Sequence, residues 1–313
     1  MAVPSTDLHL IRAARRVFTG PATLLDDPDQ RARSARYLAD LTHPYGLELP
    51  DGPGQEALGR SHAEMAEALI GALVPPEEPV DLLVLAFARH DVLPGRATAT
   101  YLSHLCPGTP LSFAVCDQGP AAVVSGLRLA HAYASPGDRT TALLIAVDQA
   151  VLPYRTPPPA PARQQAVAML YRTAPAEGAV PEHTGDVVRA PARMTVLRQH
   201  PDVAAGDVAA LAGSELAALS AGRPDARMVL GVDLAAAWPA HPTDGVTVAP
   251  PGQPVTGPWW TLLDVLAADP DRSRPVLTAD YDPALRYLCL TGWETPTTRP
   301  VGDAAVAQAA PTA

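Results

Sequence analysis

Apolar positions along this chain fall into short continuous runs separated by segments that repeat every three to four residues. That pattern predicts buried strands alternating with helices. Val80–Phe87 (VDLLVLAF) and Thr141–Val147 (TALLIAV) have no polar interruption after their first residues, as expected of strands covered on both faces. Ser61–Val74 predicts a helix: Met65, Leu69 and Leu73 recur at four-residue spacing, and Ser61 with Glu64 forms a capping-box pair at its start. Leu8–Phe18 predicts an opening strand, Asp26–Glu56 short helical pieces among polar turns, and Ala97–Leu105 a short helix. The stretch around which these are organised runs from Ser112 to Asp148. It predicts a strand over Ser112–Val115, a tight turn, a helix from Pro120 to Ala134, a turn at Ser135–Asp138 and the strand Thr141–Val147. Ala121, Ala122, Val123, Val124, Gly126 and Leu127 leave this helix small or apolar on nearly every face, so it is expected to be wrapped by protein. Gly119-Pro120 suits its start, because proline at the first helical position forfeits no hydrogen bond.

The second half repeats the plan. Ala209–Leu219 predicts a helix, followed by Gly222-Arg223-Pro224 and a strand over Met228–Leu234, in the manner of Ser61–Val74 and Val80–Phe87. Gly257-Pro258 then opens a helix over Trp259–Ala268, and Pro275–Ala279 and Tyr287–Thr291 supply closing strands. Two helices opening on Gly-Pro at the same place in each half point to an internal duplication. The order of elements implies an α/β protein with a largely parallel sheet. The expected division is a first half over 1–155, a connecting segment over 156–200, a second half over 201–295 and a disordered tail over 296–313, with Pro153–Pro161 as a loop.

Composition narrows the classes. The 313 residues are 47% hydrophobic and carry a net charge of -10, so no broad basic field exists to hold nucleic acid or anionic lipid. No apolar run is long enough for a membrane helix, and no apolar leader precedes a small-residue cleavage site. A cytoplasmic protein with neither nucleic acid nor membrane as partner is expected. Cys106, Cys116 and Cys289 lack metal-ligand spacing and read as reduced thiols, and the nine histidines show no metal spacing either, so no metal is expected. Phosphate-cradling loops, nucleophile-elbow serines and HExxH helices are all missing from the sequence.

Three segments resemble a known family in order and spacing. VDLLVLAFARHDVLP, ATATYLSHL and SFAVCDQGPAAVVSGLRLAHAY, the last followed by Gly137 and TALLIAVD, are similar to the first half of the β-ketoacyl-acyl-carrier-protein synthase III branch of the thiolase superfamily. His90-Asp91 stands where that branch usually has Pro-Asp. VTVAPPGQPVTGPWWTLLDVLA and YLCLTGWE resemble its second half more faintly. The resemblance implies a thiolase-like, duplicated α-β-α-β-α architecture with two buried central helices. It also implies acyl-thioester chemistry, with acyl-coenzyme A or a phosphopantetheinyl acyl carrier protein as possible substrate and no bound cofactor.

The family's catalytic residues do not carry over. Its members place a cysteine at the start of the first buried helix and draw a histidine and an asparagine from the second half. Counting back from Leu127 puts the cysteine at Pro120, and counting forward from Phe113 puts it at Gly119. The histidine falls near Gly231–Val232, where none occurs, and the asparagine is best matched by Gln253. Proline would also lack the backbone N–H that normally donates to the oxyanion. The expectation is a non-condensing subunit that pairs with an active ketosynthase and shapes its tunnel, with Gly119, Pro120, Gln253 and Trp259 as vestigial or tunnel residues. Trp259-Trp260 either fill that tunnel or pack the core. A second reading is an acyltransferase or hydrolase with Cys116 as displaced nucleophile and Asp117 or His241 in acid–base roles. Against it, free cysteine is usually a small buried hydrophobe, and Asp117 disfavours a neighbouring thiolate. A third is a binding protein that sequesters acyl carrier proteins. Because similar folds continue a sheet across two subunits through the strand at Ser112–Val115, a homo- or heterodimer is expected.

Overall fold

In the computed structural model, which describes residues 8–46, 59–93, 95–134, 140–151, 161–173, 182–189, 191–269 and 274–295, the apolar runs become the strands of two like sheets. The expectations made for 47–56, 135–138, 153–160 and 296–313 lie outside the described residues. The first half runs β1 (His9–Phe18), α1 (Pro28–Thr42), α2 (His62–Leu73), β2 (Leu82–Phe87), α3 (Thr98–Leu105), β3 (Leu111–Val115), α4 (Ala121–Ala134), β4 (Thr141–Asp148) and β5 (Gln164–Arg172). A small hairpin of β6 (Glu182–Thr184) and β7 (Val187–Arg189) leans on β1. The second half runs β8 (Ala192–His200), α5 (Val208–Leu219), β9 (Arg227–Leu230), α6 (Val232–Ala237), β10 (Val246–Val248), α7 (Gly257–Ala267), β11 (Val276–Asp282) and β12 (Tyr287–Glu294).

The duplication shows in the topology. Strand order is β3-β2-β4-β5-β1 in the first half and β10-β9-β11-β12-β8 in the second. β2 lies parallel to β3 and β4, while β5 is antiparallel to β4 and β1. Likewise β9 lies parallel to β10 and β11, while β12 is antiparallel to β11 and β8. The sheets join where β1 meets β8 over two residue pairs, His9 with Arg193 and Leu10 with Ala192.

Alternation along the strands builds the layers. Leu82, Val84 and Ala86 of β2 face α4, while Leu83 and Leu85 face a separate core with Leu69 of α2 and Leu102 of α3. α4 and α7 share the inner core, where Trp259 meets Trp293 edge-on at 6.4 Å between ring centroids. α5 and α6 cover the far face, where Leu216 and Leu234 share a core with Leu277 of β11. The result is the expected α-β-α-β-α stack with two central helices. α4 is seated closely on its sheet: a Cβ on Gly126 would stand 2.6 Å from Leu144 Cδ1 and 3.2 Å from Val84 Cγ1. The capping box at α2 forms as expected, with Ser61 and Glu64 bonding reciprocally.

Three expectations are corrected. In the described part of Asp26–Glu56, the fifteen residues of α1 form a continuous helix followed by a short 3-10 turn over His43–Tyr45, and Asp27 caps α1 by accepting from Asp29 N–H at 2.9 Å. The strand expected over Met228–Leu234 stops at Leu230, and the chain turns at Gly231 into α6. An acid in the first turn, Asp233, favours that start. The sheet expected to be largely parallel is mixed, because β5 runs antiparallel to β4 and β1, and β12 antiparallel to β11 and β8.

Candidate functional site

The chain leaves β3 through a tight turn, Cys116–Pro120, in which Asp117 (φ 58°) and Gly119 (φ 51°) are both left-handed. Gln118 accepts a hydrogen bond from the Ser125 hydroxyl, which in turn accepts from Gln199 Nε2 at 3.1 Å. Gln199 also accepts from Arg128 at 2.7 Å, so a polar chain ties the turn and α4 to β8. The first amides of α4 are spent on the turn itself: Ala121 N–H donates to the Gln118 carbonyl at 3.0 Å and Ala122 N–H to Gly119 at 3.2 Å. With Pro120 lacking an N–H, this helix start directs no amide of residues 120–122 to an incoming oxyanion.

Carboxylates from the second half close over the same point. A Cβ on Gly119 would overlap Asp282 Oδ2, so the acid from the end of β11 fills the volume a nucleophilic side chain would need. The other oxygen of Asp282 accepts from Ala284 N–H at 2.8 Å and Leu285 N–H at 3.0 Å, fixing the side chain in the β11–β12 turn. At the position expected for a histidine, a Cβ on Gly231 would overlap Asp280 Oδ1. Burial, reinforced by Asp233 and Asp282, pushes the Asp280 carboxyl well above its ordinary range, against the Tyr281 N–H that it accepts. Asp233 is pushed up too, by burial and then by Asp282. The centre is thus filled by side-chain acids, with Asp280 held toward its neutral form.

Gln253, at the expected asparagine position, is buried with both ends of its amide committed. It donates to the Arg163 carbonyl and accepts from the Arg163 N–H, each at 3.1 Å. The neighbouring start of α7 is capped from the other half of the chain by Asp148, at the end of β4. That carboxylate accepts from Val255 N–H at 3.3 Å, Thr256 N–H at 2.8 Å and the Thr256 hydroxyl at 2.6 Å, while Gln165 Nε2 donates to the same hydroxyl oxygen at 2.9 Å. Burial, only partly offset by these donors, pushes the Asp148 carboxyl up to about 6.

The remaining candidates are scattered. Cys116 is half-buried, and its Sγ lies 3.4 Å from Asp117 Oδ2. Burial pushes its thiol up, and Asp117 pushes it further by hydrogen bond and charge. Burial pushes the thiols of Cys106 and Cys289 up to about 11 and about 12. Trp259 is a core residue against Trp293. His241 sits in the turn after α6, with Nδ1 2.8 Å from the Pro242 carbonyl and its ring edge-on to Trp238. Thus Gly119 meets the second half through Asp282, and Gly231 faces Asp280; neither His241 nor Trp259 is the residue set against them. In native protein at neutral pH, Cys116 is expected to alkylate with iodoacetamide several-fold more slowly than an unperturbed thiol of pKa about 8.5, and Asp117→Asn to speed it. Stoichiometric labelling within seconds would contradict this.

No protein-family model matches the sequence, and no curated protein matches it. Solved structures do share its fold. The chain is similar to AbyA1, a tetronic acid condensing enzyme, at 17% identity over 92% of this chain and 99% of that one, with a TM-score of 0.57. It is similar to ChlB3, an acyltransferase, at 18% identity over 93% and 98%, with a TM-score of 0.57. It is also similar to 3-oxoacyl-(acyl carrier protein) synthase III, FabH, of Pseudomonas aeruginosa PAO1, at 14% identity over 94% and 99%, with a TM-score of 0.55. The chain therefore has the thiolase-like fold of ketosynthase III-like enzymes. Among the described residues, no helix is long and apolar enough to cross a membrane.

Proposed function

We propose that this protein is a non-condensing, ketosynthase III-like subunit of acyl-thioester biosynthesis, working in the cytoplasm beside a catalytically complete ketosynthase and its acyl carrier protein. The observation that carries this reading is the occupied centre: Asp282 stands in the space of the nucleophile at Gly119, and Asp280 in that of a side chain at Gly231. An enzyme that built an enolate there would find these volumes already filled, with Gln253 committed at both ends of its amide. What such a chain still offers is surface. β3 is an edge strand with Leu111 38% exposed and Phe113 propped on Tyr133 at 5.4 Å, and an edge of this kind invites a second sheet. The alternative, acyl transfer through Cys116, is favoured by the partial exposure of that thiol and opposed by Asp117 beside it.

The test is co-purification from the native host, with sedimentation of the purified chain at micromolar concentration and intact mass after incubation with short acyl-coenzyme A thioesters. A dimer, alone or with a ketosynthase, and an unmodified mass are expected. A monomer that no ketosynthase recruits would sink the subunit reading, and an acyl adduct mapped to Cys116 would replace it with the transferase.

A further inference from the structure

A second cavity lies away from the centre just described, on the opposite face of the first sheet. It has a volume of about 450 Å³, within the range of small-molecule sites, and opens between α1, the loop after β2 and the start of α3. Leu38, Leu85, Phe87 and Leu93 give it apolar walls, and His62, Asp91, His90 and Arg96 supply polar groups. His62 is the first residue of α2, 1% exposed, with its ring tilted against Phe87 at 4.7 Å. Its Nε2 is buried and has no hydrogen-bond partner among the described residues. Asp91 spends Oδ1 on two backbone amides, His62 N–H at 3.1 Å and Leu93 N–H at 3.3 Å. Its Oδ2 is also buried and, among the described residues, unpartnered. Helix capping explains one oxygen of Asp91 and leaves the other oxygen and the imidazole unexplained, although buried polar atoms are nearly always paired.

We propose that this cavity binds a small amphiphile with an apolar body and a hydroxyl head, the hydroxyl donating to Asp91 Oδ2 and meeting His62 Nε2. The chemistry selects the head group. A carboxylate oxygen takes only donors, so Asp91 Oδ2 accepts an alcohol or amine, and a ligand acid drawn to Arg96 would leave it unmatched. Burial holds the His62 imidazole toward its neutral form, against the pull of Asp91. With its one proton given to Asp91, the hydroxyl accepts from the Nε2–H tautomer of His62, a role that an ammonium, which can only donate, does not fill. The proposal does not depend on the subunit reading, since every lining residue named belongs to this chain and none to the acidic centre.

Calorimetric titration with 1-octanol, octylamine and sodium octanoate tests it on the intact protein. 1-Octanol is expected to bind saturably at one site below about 1 mM, and octanoate at least about tenfold more weakly. Asp91→Asn keeps an oxygen for the two amides but replaces Oδ2 by a donor, so 1-octanol binding should fall by about tenfold or more. His62→Phe should remove binding while raising the melting temperature of the free protein, because it buries a ring with no unpaired nitrogen. Equal binding of the three probes, absence of saturation by 1-octanol, or wild-type binding of 1-octanol by either variant would overturn the proposal. None of these results bears on the ketosynthase partner.

Discussion

Replacing Asp148 by alanine is expected to destabilise the fold by about 3–5 kcal/mol, because three buried donors lose their acceptor together. The carboxylate ends β4 of one half and receives Val255 N–H, Thr256 N–H and the Thr256 hydroxyl at the start of α7 in the other. Gln165 loses its arrangement too, since it donates to that hydroxyl. Asp148→Asn keeps an oxygen for the shortest bonds and should cost less, about 1–2 kcal/mol. The pH dependence has a definite sign. The folded chain raises this carboxyl from 3.8 to about 6, so it holds the proton more tightly than the unfolded chain does. The stabilisation from that proton is complete below the ordinary value and is lost as pH rises through about 6. Glu64, Glu78 and Glu294 work the other way, each held below its ordinary range in the fold, so acidification removes their contributions. The difference between wild type and Asp148→Asn isolates the Asp148 contribution. Urea unfolding should show wild type gaining on the variant by about 3 kcal/mol between about pH 7 and pH 3. A difference that stays flat with pH would contradict the assignment.

The duplication was legible because both halves place a Gly-Pro helix start between apolar strands, and those patterns survive although the two halves share little sequence. β5 and β8 were not legible, for separate physical reasons. β5 opens on Gln164 and Gln165, which read as loop residues, yet both are buried with their amides paired, to Gln149 at 2.6 Å and Thr256 at 2.9 Å. β8 alternates Arg193 and Thr195 with apolar residues, ends on Arg198, Gln199 and His200, and lacks the continuous apolar run of the central strands. Counting along the chain located Gly119, Gly231 and Gln253 but not what faces them. TADYDPAL reads as a strand ending in a turn, and only the fold sets Asp282 against Gly119 and Asp280 against Gly231. Asp148 carried a fainter signal, an acid closing a fully apolar strand, whose partners at Val255 and Thr256 become visible only across the two halves.

Gly119→Cys is expected to lower stability by about 2–4 kcal/mol and to yield no condensing enzyme. Residue 119 is left-handed at φ 51°, a conformation that itself costs a side-chain-bearing residue about 1–2 kcal/mol. The new Cβ would also overlap Asp282 Oδ2, and that carboxylate cannot withdraw without releasing the amides of Ala284 and Leu285. Gly119→Cys combined with Asp282→Gly removes the overlap and should recover part of the loss. Pro120→Cys restores both a thiol and a backbone N–H, yet it too should fail to condense. Gly231 supplies no imidazole, and Gln253 is pinned at both ends by Arg163. Loss of a single oxyanion donor costs about 10²–10³ in rate, and at Gly231 no imidazole stands beside it. The enolate would, moreover, form beside Asp280, whose burial already shows how poorly this centre tolerates negative charge. Urea unfolding reads the stability, and mass spectrometry of products from acetyl-coenzyme A and a malonyl carrier protein reads the chemistry. Condensation by Pro120→Cys alone would mean that residues other than Gly231 and Gln253 fill the second-half roles, and that the acidic centre opens when an acyl group arrives.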